Sequence, residues 1–127
     1  MAAPTHLAEQ LGIEILDPGP EPARARLAVT PAVCQPFGIV HGGTFAALAE
    51  TLCSLATSEA VKDEGMLALG QSNQASFLRP ISSGSVHAEA RPRHRGRTTW
   101  VWDTEITDDD GRLSSLVRMT VAVRPAR

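Results

Sequence analysis

Between Gln35 and Ser58 the chain reads QPFGIVHGGTFAALAETLCSLATS, a run with one carboxylate, Glu50, and one titratable base, His41. The glycines that follow His41 leave backbone N–H groups uncovered where a helix would begin, with the positive end of the helix dipole behind them. Such a turn can hold a developing oxyanion, and losing one such donor costs roughly 100- to 1,000-fold in rate. A carboxylate two helical turns further on is a candidate nucleophile or general base. Ser54, one turn after Glu50, shares its face and is placed to hydrogen-bond a reactant or water. Taken singly, a helix glutamate is more often structural and a glycine turn into a helix is common. The combination carries the weight.

The element that must position these residues runs from Gly43 to about Val61, where alanine and leucine dominate and no proline interrupts. It is the one long helix in the chain. On a helical wheel Phe45, Leu48, Ala49, Leu52, Leu55 and Ala56 form a stripe that faces a sheet. The other side carries Ala46, Glu50, Ser54 and Thr57. A solvent face usually carries several lysines and glutamates, yet charge resumes here only at Glu59. Small side chains suit close approach to another surface, and one small sheet cannot cover both sides of a helix. A second copy of the chain is the expected cover. Glu50 would then sit partly desolvated in an interface cleft, which raises a carboxylate's pKa. A plain solvent face is the competing reading.

The rest of the chain reads as strands and turns. A short helix at Pro4–Gln10 is stopped by Gly12, followed by a strand at Ile13–Leu16, a turn at Asp17–Pro22, a strand at Ala23–Thr30 and a loop at Pro31–Val40. Strands are expected at Met66–Leu78, Ser85–Arg93, Thr98–Thr107 and Leu113–Val123, with turns at Ser82–Gly84, His94–Gly96 and Asp108–Gly111. Trp100 and Trp102 read as packing residues, His6 and His87 as surface. One long helix with about five strands, the last three hairpin-linked, implies an α+β fold: an antiparallel sheet packed on one helix.

Composition narrows the function. The 127 residues suffice for one domain, 1–127, and 43% hydrophobic with 20% charged residues is ordinary globular make-up. A net charge of −2 gives no general attraction to nucleic acid or anionic membrane. The two cysteines, Cys34 and Cys53, have no metal-ligand spacing and read as reduced thiols. The first residues lack the cationic start and apolar core of a secretion signal, and no apolar run approaches the ~20 residues of a membrane span. A cytoplasmic location is expected.

Gln35-Pro36-Phe37-Gly38, then His41-Gly42-Gly43, then Leu48-Ala49-Glu50 resemble hotdog-fold acyl-CoA thioesterases of the phenylacetate-degradation, 4-hydroxybenzoyl-CoA and dihydroxynaphthoyl-CoA types. The likeness extends over essentially the whole chain. It implies a curled antiparallel sheet of five to six strands around one long helix, with chains paired sheet to sheet into dimers and often homotetramers. By position it implies that Glu50 attacks the thioester carbonyl or activates water, that the Gly42 N–H stabilises the oxyanion, and that His41 and Gln35 position the carbonyl and the helix start. The glutamate of one chain and the glycine turn of the other would face the same thioester. Ser54 falls where the family has a hydroxyl near the attacking group. Ligand contacts are implied for Gly43, for Gly70, Gln71, Ser72 and Asn73, and for His94, Arg95, Gly96, Arg97, Thr98 and Thr99. Phe77 stands where this branch often has a histidine, and implies a more apolar acyl pocket.

The run RPRHRGR (Arg91–Arg97) has arginine at every second residue, which on a regular strand shares one face. Arginine suits the phosphates of coenzyme A. A merely solvated strand is the bland alternative, and a nucleic-acid patch is disfavoured by the acidic net charge and the lack of interleaved aromatics. The expectation is an aryl- or medium-chain acyl-CoA thioesterase that uses no metal and no cofactor beyond the CoA of its substrate. The rivals are a non-catalytic acyl-CoA-binding module and, less well matched by the His41–Glu50 spacing, a hotdog dehydratase or hydratase.

Overall fold

The computed structural model describes residues 6–126. Strands β1 (Glu14–Asp17), β2 (Ala23–Ala28), β3 (Met66–Phe77), β4 (Ser85–Arg95), β5 (Thr99–Thr107) and β6 (Leu113–Pro125) form one antiparallel sheet in the order β1-β2-β4-β5-β6-β3. A short helix α1 (Leu7–Leu11) precedes the sheet, and the long helix α2 (Gly42–Val61) packs against β2 through β6. This is the hotdog fold, an antiparallel sheet of six strands on one long helix, as the sequence implies.

Period-2 alternation builds the inner face. Ala23, Ala25 and Leu27 of β2 are buried between exposed Arg24 and Arg26, and Trp100, Trp102, Thr104 and Ile106 of β5 are buried between half-buried Val101 and Asp103 and exposed Glu105. With Val86, Val117, Met119 and Val121 they enclose Phe45, Leu48, Leu52 and Ala56 of α2. β3 is an edge strand paired only with β6, and it stays half-exposed or exposed along its length.

The buried stripe of α2 differs from the one expected. Leu55 is 40% exposed, while Thr44, Cys53 and Thr57 are buried. Thr57 was expected on the open side; instead it faces the core because it has partners there. Trp102 Nε1–H donates to Thr57 Oγ1 at 2.8 Å, and that hydroxyl donates to the Cys53 carbonyl at 2.7 Å. Cys53 Sγ lies 3.3 Å from Thr104 Oγ1. A buried polar group is tolerated when it is hydrogen-bonded, so hydropathy alone misjudges the roll of the helix.

Most boundaries shift by one or two residues. Gly12 ends α1 with φ 75°, as expected, while Pro4 and Thr5 lie outside the described residues. The Pro31–Val40 loop contains a 3-10 turn at Pro31–Val33 and a bridge from Cys34 to Val40. β4 continues to Arg95, so His94 and Arg95 belong to the strand rather than a turn, and Gly96 N–H closes the hairpin on Thr99 O at 2.8 Å. Among the described residues no helix is long and apolar enough to cross a membrane.

Candidate active site

The start of α2 is strapped down from two sides. His41 N–H donates to Val33 O at 2.9 Å, Thr44 Oγ1 donates to the same carbonyl at 3.0 Å, and Val40 N–H donates to Ile81 O at 2.8 Å. His41 is the N-cap: its Nδ1 accepts from Gly43 N–H at 2.8 Å, and its carbonyl accepts from Thr44 N–H at 2.8 Å. An accepting Nδ1 places the ring proton of the neutral imidazole on Nε2. The cap requires glycine at 43, where a Cβ would stand 2.9 Å from that nitrogen. Gly42 N–H is left without an acceptor among the described residues, at the positive end of a 20-residue helix.

Glu50 is exposed on the single chain and lines a groove with Leu7, Gly43, Ala46, Ala47, Thr51 and Asn73. Asn73 Nδ2 donates to Glu50 Oε1 at 3.3 Å and to Ala46 O at 3.0 Å, so one amide ties the carboxylate and the helix backbone to β3. Gly70 makes room beside it; a Cβ there would lie 3.2 Å from Glu50 Oε2. Between Gly70 and Ser72 the register of β3 against β6 slips, leaving Gln71 as the extra residue of a bulge. Bulges commonly re-aim side chains next to sites.

Of the expected residues, the structure brings Glu50 together with Gly43, Gly70 and Asn73, and Phe77 together with Gly42. Glu50 lies eight residue steps along the helix from Gly42, about 12 Å, so both do not reach one carbonyl within a chain. Ser54 is half-buried but does not line the Glu50 groove; Thr51 does. Gln35 lies in a separate hollow with Val29, Pro31, Cys34 and Ser82, its backbone bonded to Ile39 and Gly38. The groove residues that the sequence analysis did not single out are Leu7, Ala47 and Thr51. Leu7 had no signal, because its contact with α2 is set by tertiary packing.

The arginine run does not share one face. A bulge between Pro92 and His94 makes Arg93 the extra residue, so Arg91 pairs across from Asp103 while Arg95 pairs across from Trp100. Arg91 bonds Glu89, and Arg93 approaches Asp103 at 3.6 Å beside Arg118 on the outer face. Arg118 holds the Asp103 carboxyl below its ordinary range, and Arg24 does the same for Glu89. Arg95 swings over the Trp100 ring, 5.5 Å from its centroid, and pairs with Glu21. Arg95, Gly96 and Arg97 border a groove with Glu64, Met66 and Trp100 at the far end of α2, away from Glu50. Both cysteines are free; burial pushes the Cys53 thiol up to about 12.

Comparison with known proteins agrees with this architecture. Residues 37–115 match the model of the Thioesterase superfamily. The chain is similar to a putative esterase of Mycobacterium tuberculosis, 41% identical over 106 residues that make up 82% of this chain and 76% of that protein. It is also similar to a 1,4-dihydroxy-2-naphthoyl-CoA hydrolase of Listeria monocytogenes, 36% identical over 121 residues, 95% of this chain and 98% of that one. A crystal structure of a thioesterase from Haemophilus influenzae has a TM-score of 0.89 at 39% identity, covering 94% of this chain and 82% of that chain. The strapped glycine turn and the groove glutamate thus stand on a chain that belongs to the Thioesterase superfamily.

Proposed function

We propose that this thioester hydrolase converts an aryl- or medium-chain acyl-CoA to the free acid and CoA. Water oxygen ends on the acyl carbon, the carbon–sulfur bond breaks, and the thiolate leaves and takes up a proton. Glu50 delivers the oxygen, either as the nucleophile of a transient anhydride or as the base that activates water. Gly42 N–H receives the oxyanion, and His41 and Gln35 orient the carbonyl. The observation that carries this reading is a helix start where the Gly42 N–H has no acceptor among the described residues, on the same helix as a carboxylate held by Asn73.

Because those two groups lie about 12 Å apart along one helix, the complete site takes Glu50 from one copy and Gly42 from another. The protein therefore works as a homodimer or a dimer of dimers. The long exposed edge strand β3 supplies a surface for that pairing. The CoA phosphates fall to the segment His94–Thr99, where Arg97 has no carboxylate partner among the described residues. The chemistry calls for no metal and no cofactor beyond the substrate's own CoA.

Free thiol release measured with a colorimetric reagent over a panel of aryl- and alkyl-CoA esters tests the reading. Wild type hydrolyses members of the panel, and Glu50→Gln lowers kcat at least ~100-fold. Unchanged turnover in that variant removes the assigned role. Binding without turnover across the panel favours a non-catalytic acyl-CoA module instead, and water loss or addition at an enoyl ester favours a dehydratase or hydratase.

A further inference from the structure

Two residues of β3 reach Glu50, and a bulge lets both do so. Cross-strand partners carry their side chains on the same side of a sheet. Gly70 lies opposite Val121 and Asn73 opposite Met119, and both of those partners are buried in the core. Gly70 and Asn73 therefore share the face turned toward α2. On an uninterrupted strand, residues three apart point to opposite faces. Gln71, the extra residue between them, brings the two onto one face.

The pair treats the two oxygens of Glu50 differently. Asn73 Nδ2 lies 3.0 Å from Ala46 O and 3.3 Å from Glu50 Oε1. A carbonyl and an ionised carboxylate only accept, so the amide turns its NH2 toward them and both of its N–H bonds are committed. Glu50 Oε2 has no hydrogen-bond partner among the described residues and lies beside Gly70. The three atoms that a Cβ at Gly70 would meet first are Oε2 at 3.2 Å, Cδ at 3.4 Å and Cγ at 3.5 Å, all of Glu50. The space that this glycine leaves open is thus space around the carboxylate itself.

We propose that Asn73 is a positioning residue that ties Oε1 and aims Oε2 at the acyl carbon, while Gly70 keeps the approach to Oε2 clear. The inference rests on the assignment of Glu50 as the group that delivers oxygen, and adds which of its oxygens acts. Oε2 either bonds to the acyl carbon as the carbon–sulfur electron pair leaves on sulfur, water later splitting the anhydride, or takes a proton from the water whose oxygen bonds to that carbon. The sequence resemblance implies a ligand contact for Asn73. With both donors committed it has no N–H left for a ligand, and it acts through Glu50 instead.

Thiol-release kinetics on Asn73→Leu, which keeps a similar volume and removes both donors, separate the two roles. Misplacing a reacting group by about 1 Å costs up to ~100-fold, so positioning predicts a kcat lowered at least ~10-fold with KM within about 2-fold of wild type. By calorimetry, S-benzyl-CoA, a thioether that the enzyme cannot hydrolyse, should bind wild type and Asn73→Leu with the same Kd. Gly70→Ala leaves Asn73 in place and sets a methyl against Oε2; it should lower kcat as well, and it carries the test if Asn73→Leu does not fold. A kcat within about 2-fold of wild type in either folded variant overturns the proposal while leaving Glu50 in its role. A loss in Asn73→Leu that appears in KM and in the S-benzyl-CoA Kd overturns it too, and returns Asn73 to the ligand. Unchanged turnover in Glu50→Gln removes the assigned role of the glutamate and this proposal with it.

Discussion

The ring of Phe77 occupies the space that any side chain on Gly42 would need: a Cβ at that position would lie 2.8 Å from Phe77 Cζ. The ring also sits 6.2 Å, centroid to centroid, from Phe45 of α2. The end of β3 therefore packs over the helix start at Gly42. Gly42→Ala is expected to displace the ring or the turn and to lower kcat at least ~10-fold. Adding Phe77→Ala should recover part of that loss, since the clash is removed, with a coupling of about 0.5–3 kcal/mol typical of touching residues. Thiol-release kinetics on the four members of the cycle check this; strictly additive losses would contradict that contact.

The tie between α2 and β5 should be costly to cut. Thr57→Val keeps the shape but leaves Trp102 Nε1–H buried without its acceptor. A buried donor so orphaned costs about 1–3 kcal/mol. Urea denaturation should show that loss, with Thr57→Ser, which retains the hydroxyl, less affected.

Acid should weaken the outer face of the sheet. Asp103 is held below its ordinary range first by its hydrogen bond to Arg118, and Glu89 first by its bond to Arg24. A carboxyl with a depressed folded-state pKa contributes stability that is complete above its unfolded value, about 4, and is lost as pH falls through the folded value. Melting temperature followed from pH 5 down to pH 2 should therefore decline. Asp103→Asn should make that decline shallower; a slope identical to wild type would assign it to other groups.

The two thiols should separate chemically. A thiol raised to about 12 by burial has almost no thiolate at neutral pH, and Cys53 of α2 is buried against Thr104 of β5. Iodoacetamide at pH 8 should modify Cys34 in the folded protein and reach Cys53 only after denaturation. Mass spectrometry of the labelled peptides gives the answer directly.

How much of this could be read along the chain depends on whether a feature is local. The glycine turn, the helix behind it and the lone Glu50 follow from neighbours within a few residues, so their spacing carried them. The β2 alternation and the β5–β6 hairpin were legible for the same reason. The roll of α2 was not, because Thr57 and Leu55 exchange places through a bond to Trp102, 45 residues away. Leu7 beside Glu50 and Phe77 beside Gly42 likewise meet only after the sheet has closed. The bulges at Gln71 and Arg93 left no mark of their own, since one extra residue alters no composition and no turn signal.

The irregularity at Arg93 also tells where this chain can lose a residue. Excising Arg93 would leave His94 opposite Val101 and Arg95 opposite Trp100, since the partner strand never counted it. Excising Ala90, inside the regular ladder, would instead transpose the inward and outward sides of its neighbours and drive charged groups toward the tryptophans. The strand thus has one dispensable step, and it lies where the arginines change sides.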